Sequence, residues 1–177
     1  MRISLLSDLH FEFDGDFGKE FISGLNSEGV DVLVLAGDIT IPSQMFQTLD
    51  NICNHYKNSQ IIYILGNHDH AHVRLNKIKE IIKTLSLQHQ HFTWLENDIK
   101  EINCLNSKGN FETKRFLGCT LWYPPTATAQ KSKYDWFDFQ YIPNADPYIF
   151  IQNKKSINFL KNNIREGDIV VTHMQPS

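Results

Sequence analysis

Ile61-Ile62-Tyr63-Ile64-Leu65-Gly66-Asn67-His68-Asp69 is the stretch around which the chain is organised. Five apolar residues, mostly β-branched or aromatic, predict a buried strand, and Gly66 ends the run. Asn67, His68 and Asp69 then present a carboxamide, an imidazole and a carboxylate at the strand's carboxyl end. Taken alone, Gly-Asn is equally the chemistry of a solvated turn.

The pattern recurs. Ile3-Ser4-Leu5-Leu6-Ser7 runs into Asp8-Leu9-His10, Val32-Leu33-Val34-Leu35-Ala36 into Gly37-Asp38, and Ile169-Val170-Val171-Thr172 into His173. In open α/β sheets the ligand crevice lies outside the carboxyl ends of the strands, where side chains of different strands converge. The first three runs have the spacing of successive βαβ units, roughly 30 residues each.

Between the runs the sequence predicts helices. Phe17, Phe21, Ile22 and Leu25 predict one near Asp16 to Ser27. Ser43 caps a second, with Met45, Phe46, Leu49, Ile52, Cys53 and Tyr56 along one face. A third has Val73, Ile78, Ile81, Ile82 and Leu85 inward. Strand and helix in alternation imply a mostly parallel sheet covered by helices. From Phe92 the character changes. Phe92-Thr93-Trp94-Leu95 is a short strand candidate, and Ile99 to Leu105 and Phe111 to Trp122 flank a turn-rich loop, an antiparallel pair. A segment rich in Pro and aromatics comes next, and a last helix near Asn153 to Ile164 leads into the strand ending at His173.

Bulk properties exclude several classes. The 177 residues suit one domain, residues 1–177, with a substantial core. A net charge of −3 and a pI near 6.2 leave no basic footprint for nucleic acid. Lys154, Lys155, Lys161 and Arg165 read as a solvated helix face. No run reaches the length of a membrane span, and the amino terminus lacks a signal-peptide core. Cys53, Cys104 and Cys119 are odd in number and widely spaced, which reads as buried free thiols in a reducing cytoplasm.

Asp8, His10, Asp38, Asn67 and His173, with His68 beside them, form a donor set suited to first-row divalent metals such as Mn, Fe or Zn. The absence of liganding Cys argues against a structural zinc site. Asp38 lies on the middle one of the first three strands and is the natural bridge between two cations. Two cations roughly 3.5–4 Å apart hold a hydroxide between them and clamp a displacement at phosphorus.

Asp8-Leu9-His10, Gly37-Asp38, Gly66-Asn67-His68-Asp69 and Thr172-His173 resemble, in order and spacing, the motifs of the calcineurin-like metallophosphoesterases. The resemblance implies a two-sheet α/β sandwich of mixed strands flanked by helices. It implies a dinuclear hydrolase of phosphate mono- or diesters, manganese being the metal expected to support it in vitro. By position, Asp8, His10 and Asp38 would bind one metal, and Asp38, Asn67 and His173 the second. His68 would protonate or stabilise the leaving oxygen, with Asp69 orienting its ring. The family closes its site with Gly-His-x-His, absent here, so a carboxyl-terminal segment carrying it is expected beyond Ser177. The competing reading is a catalytically impaired scaffold that binds a protein partner. His70, His72, His89 and His91 are expected to be exposed. Trp122, Tyr134 and Trp136 are expected to edge the substrate cleft.

Overall fold

A computed structural model describes residues 1–105, 109–126 and 135–176. Strands β1 (Ile3–Leu6), β2 (Val32–Ala36), β3 (Gln60–Ile64) and β4 (Phe92–Trp94) form a parallel sheet in that order. Strands β5 (Asp98–Leu105), β6 (Phe111–Cys119) and β7 (Ile169–Thr172) form a second sheet. β5 and β6 pair antiparallel from Asp98 opposite Gly118 to Leu105 opposite Phe111. β7 then adds parallel to β6, Phe116 opposite Ile169, so the second sheet is mixed rather than a simple meander. The helices are α1 (Lys19–Gly24), α2 (Pro42–His55), α3 (Leu75–Gln88), α4 (Phe137–Tyr141) and α5 (Ala145–Asn163).

The uninterrupted apolar runs are explained by burial on both faces of the first sheet. Leu33, Leu35, Ile61 and Tyr63 point to the helices, where they meet Met45, Leu49 and Ile52 of α2 and Ile78, Ile82 and Leu85 of α3. Val32, Val34, Ala36, Ile62 and Ile64 point the other way, onto Ile102, Phe116 and Val171 of the second sheet. Truncating a fully buried leucine such as Leu33 to Ala costs about 2–5 kcal/mol, transfer and cavity together. A third cluster, Trp122, Ile142, Ala145 and Ile149, seats α4 and the start of α5.

Three helix boundaries differ from the expectation. α1 is only six residues long because Phe17 (φ 60°) and Gly18 (φ 71°) are left-handed and Leu25 is extended. α2 begins at Pro42 after an extended Ile41. It has no side-chain cap, so Ser43 does not cap it; a proline at the first turn loses nothing there, since that N–H has no helical partner. α5 starts earlier than Asn153, and Asp146 is non-helical (φ −99°, ψ 122°), so its regular part runs from Pro147. Lys154, Lys155 and Lys161 on α5, and Arg165 just after it, are exposed, as a solvated face requires. No helix among the described residues is long and apolar enough to cross a membrane.

Candidate active site

Each parallel strand hands its chain to a turn at the same edge of the sheet. After β1 and β2 the two turns are laced together: the Asp8 N–H donates to the Gly37 carbonyl (3.1 Å) and the His10 N–H to the Asp38 carbonyl (3.1 Å). Asp8 (φ 53°), His10 (φ 49°) and Asp38 (φ 52°) all sit in the left-handed region, which costs an L residue of order 1–3 kcal/mol. Three such residues clustered at strand ends mark a place where geometry is held against local preference. Gly37 is itself left-handed (φ 87°), and a Cβ there would meet the His173 ring at 2.6 Å. A Cβ on Gly66 would collide with the Asp38 carboxylate and backbone, so β3 can approach β2 this closely only through glycine.

Asp38 is the centre. Its Oδ2 lies 3.8 Å from His10 Nε2 and its Oδ1 3.6 Å from His173 Nε2, so each oxygen faces a different imidazole. The His68 backbone N–H also donates to Oδ1 (2.8 Å). Burial pushes the Asp38 carboxyl up from its usual range, against the pull of His173 and the His68 amide.

His173 arrives from the second sheet and is anchored across the sandwich: its Nδ1–H donates to the Ala36 carbonyl at the end of β2 (2.9 Å). In the neutral ring Nε2 is therefore a lone pair, and it faces Asn67 Oδ1 at 3.1 Å as well as Asp38 Oδ1. Three lone pairs converge with no proton among them, an arrangement that a cation satisfies. Donors sharing one ion at bonds of ~2.1 Å stand roughly 3.0–3.5 Å apart, close to the separations here. Two groupings of ligand atoms lie within 4.8 Å of one another: Asp8, Asp38 and His173, and His10, Asp38 and His68. Asp38 is common to both. Asp8 is the most exposed member, and the Ser7 hydroxyl donates to its Oδ2.

Glu12 is the residue that sequence reasoning missed. Its Oε1 accepts from His10 Nδ1 (3.0 Å) and from His68 Nδ1 (2.9 Å). A carboxylate oxygen only accepts, so both Nδ1 atoms carry the proton and His10 Nε2 is freed to face Asp38. The side chain of Glu12 is nearly buried, and its Oε2 has no hydrogen-bond partner among the described residues.

Asp69 was expected to orient the His68 ring, and the structure corrects this. Its Oδ2 accepts the backbone N–H groups of Asp38 (2.8 Å) and Gly66 (2.7 Å), beneath the site. The 3-10 turn His68–His70 sends the Asp69 side chain inward while His68 points out. Burial, then the Asp38 carboxylate beside it, pushes Asp69 up to about 7.

The aromatic segment also divides differently. Trp122 is 1% exposed and packs against His70 and Tyr148, so it is a core residue and not a rim. Trp122 does lie in a loop, but there the chain is pinned against Ile142, Ala145 and Ile149, so the ring is buried. Trp136 is half-buried, edge-on to Tyr123 at 5.2 Å. Tyr134 lies outside the described residues. An aromatic of this segment that reaches the site is Phe137, stacked on His68 with centroids 3.9 Å apart and planes 5° from parallel. Of the histidines expected to be exposed, His72 is exposed, beside Tyr141, whereas His70 is fully buried and His89 and His91 are half-buried.

A two-sheet α/β sandwich with carboxylate, imidazole and carboxamide donors gathered at its strand ends defines a protein built around a polar, cation-accepting centre. The chain belongs to the calcineurin-like phosphoesterases: the family's model matches residues 1–177. Among solved structures, the protein TT1561 of Thermus thermophilus is 11% identical, with a TM-score of 0.56 over 99% of this chain and 68% of that one. A second solved structure is 10% identical, with a TM-score of 0.57 over 99% of this chain and 69% of that one. At such identities the likeness is one of fold. No curated protein matches the chain significantly.

Proposed function

We propose that this protein is a metal-dependent hydrolase of phosphate mono- or diesters, working at the cluster around Asp38. One observation carries the reading: the two oxygens of a single buried carboxylate face two different imidazole nitrogens, at 3.8 and 3.6 Å. Asp8, His10 and Asp38 would hold one divalent cation, and Asp38, Asn67 and His173 the second. When bound, such cations polarise phosphoryl oxygens and lower the pKa of water. The oxygen-rich donor set suits manganese.

The chain's own residues supply the remainder. Glu12 holds the His68 ring by Nδ1, which leaves Nε2 to face the substrate. A protonated Nε2 there donates to the departing oxygen, and the Glu12 carboxylate stabilises the imidazolium meanwhile. Phe137 covers one face of that ring and keeps water from it. Asp69 ties the turns that carry Asp38 and Gly66 to one another, fixing the bridge from below. Asp69 and Phe137 are positioning residues.

The test is hydrolysis of p-nitrophenyl phosphate and of bis(p-nitrophenyl) phosphate by chelator-stripped protein, with and without Mn²⁺. Metal-dependent turnover of order 1–10³ s⁻¹ is expected on at least one substrate. His68→Ala should bind Mn²⁺ as the wild type does while losing roughly 10²–10⁴-fold in turnover. No hydrolysis of either ester with saturating Mn²⁺, Fe²⁺ or Zn²⁺ contradicts the proposal and returns the chain to a binding scaffold.

A further inference from the structure

We propose that Cys53, His89 and His91 bind one borderline-soft divalent cation, zinc in chemistry, where α2, α3 and β4 meet. The cluster stands apart from the residues around Asp38 and shares none of them. A sulfur of Cys53 and one ring nitrogen each of His89 and His91 lie within 4.8 Å of one another. One thiolate and two imidazoles select zinc or its analogues over manganese and magnesium, which prefer oxygen. Donors on a tetrahedral zinc stand about 3.3–3.6 Å apart, from bonds of ~2.3 Å to sulfur and ~2.0–2.1 Å to nitrogen. The donors therefore need to close by at most about 1.5 Å.

The supporting contacts are those that a metal-bound histidine requires. His89 Nε2 lies 2.7 Å from Asp50 Oδ1, and His91 Nε2 lies 3.1 Å from the Cys53 carbonyl. Both oxygens only accept, so each Nε2 carries the proton, and Nδ1 is the lone-pair nitrogen of each neutral ring. Carboxylate–histidine–metal chains use this arrangement to fix tautomer and ring orientation. Asp50 and Cys53 lie one turn apart on α2, so the thiol and the carboxylate share a helix face. The backbone that carries the rings is held too. The His89 N–H donates to Leu85 (2.8 Å), the Phe92 N–H to His89 (2.9 Å), and the Ile61 N–H of β3 to the His91 carbonyl (2.8 Å).

Without metal the Cys53 thiol keeps its proton, because burial and then the Asp50 charge raise it to about 12. Binding is an exchange in which the cation takes the sulfur lone pair and one proton leaves to solvent. The +2 charge is then met by the new thiolate and by the Asp50 carboxylate on His89. The bound ion would clamp the carboxyl end of α2 to the α3–β4 connection, and with it one flank of the parallel sheet.

The experiment is a Co²⁺ titration of the metal-stripped chain, followed by the near-ultraviolet charge-transfer band of a cobalt–thiolate bond. The Asp38 cluster contains no cysteine, so it cannot give that band. The expected result is a saturable cobalt–thiolate band that is abolished by Zn²⁺. It should survive Cys104→Ala and be lost, or need at least tenfold more cobalt, in Cys53→Ala and in His91→Ala. Zn²⁺ should raise the melting temperature of the wild type more than that of His91→Ala, whereas any rise given by Mn²⁺ should be the same in both. Absence of the band, or its persistence in Cys53→Ala, overturns the site. Should Cys53→Ala fail to fold, His91→Ala decides alone, since that ring is only half-buried, and an unchanged band there is equally fatal.

Discussion

Glu12 Oε1 and His68 Nδ1 meet at 2.9 Å across 56 residues of sequence, and the same oxygen holds His10 Nδ1 at 3.0 Å. One carboxylate therefore sets the tautomer of a proposed metal ligand and of the proposed acid together. Glu12→Gln keeps the shape and removes the charge. Turnover should fall about 10–100-fold, the usual cost of losing such a supporting partner. The loss should be larger for an alkyl phosphate than for p-nitrophenyl phosphate, whose leaving group needs little protonation. Steady-state kinetics on both esters checks it, and equal losses on the two would separate Glu12 from leaving-group chemistry.

Phe137 lies flat on the His68 ring at 3.9 Å. Phe137→Ala should free the ring and lower turnover several-fold while leaving Mn²⁺ affinity unchanged. Calorimetric titration beside kinetics distinguishes the outcomes. A loss of Mn²⁺ binding would mean that Phe137 supports the donors rather than His68.

Trp122 belongs to packing. At 1% exposure, among His70, Tyr148 and Tyr123, its truncation to Ala should cost about 3–5 kcal/mol of stability. Urea unfolding measures this. Unchanged stability with a raised KM would restore Trp122 to the substrate cleft.

His70 makes stability depend on acid. Burial lowers its pKa from 6.5 to about 3, and its Nε2 has no hydrogen-bond partner among the described residues. The folded ring stays neutral, while the unfolded one takes a proton below about 6.5. The contribution is thus fully present above about 6.5 and is lost as pH falls toward about 3. Its slope approaches about 1.4 kcal/mol per pH unit. His70→Phe should flatten the decline between pH 6.5 and pH 4, read by urea unfolding at several pH values. An unchanged slope would assign the acid sensitivity to other groups.

The strands and the residues at their ends were legible because the physics is local. β2 and β3 are buried on both faces, so they must read as unbroken apolar runs, and the polar residues at their carboxyl ends stand out. Glu12 was not legible: a carboxylate in a short 3-10 turn looks solvated until the turns after β1 and β3 bring it onto two histidines. Asp69 was placed on the wrong partner, since adjacency to His68 in sequence says nothing of which way a 3-10 turn sends each side chain. Left-handed φ values at Phe17 and Gly18 shortened α1 against a sound hydrophobic spacing. Cys53, His89 and His91 have no motif spacing because the cysteine comes from the carboxyl end of α2 and the two histidines from the α3–β4 connection, which only packing joins.

The central claim is that Asp38 serves two cations at once, and Mn²⁺ stoichiometry tests it most directly. Manganese also avoids the thiolate cluster at Cys53. Calorimetric titration of the stripped wild type should give two Mn²⁺ per chain. Asn67→Ala should weaken one of them, and Asp38→Ala should remove both, with the fold checked by circular dichroism. Equal losses in the two variants, or one ion retained at wild-type affinity in Asp38→Ala, would contradict the account.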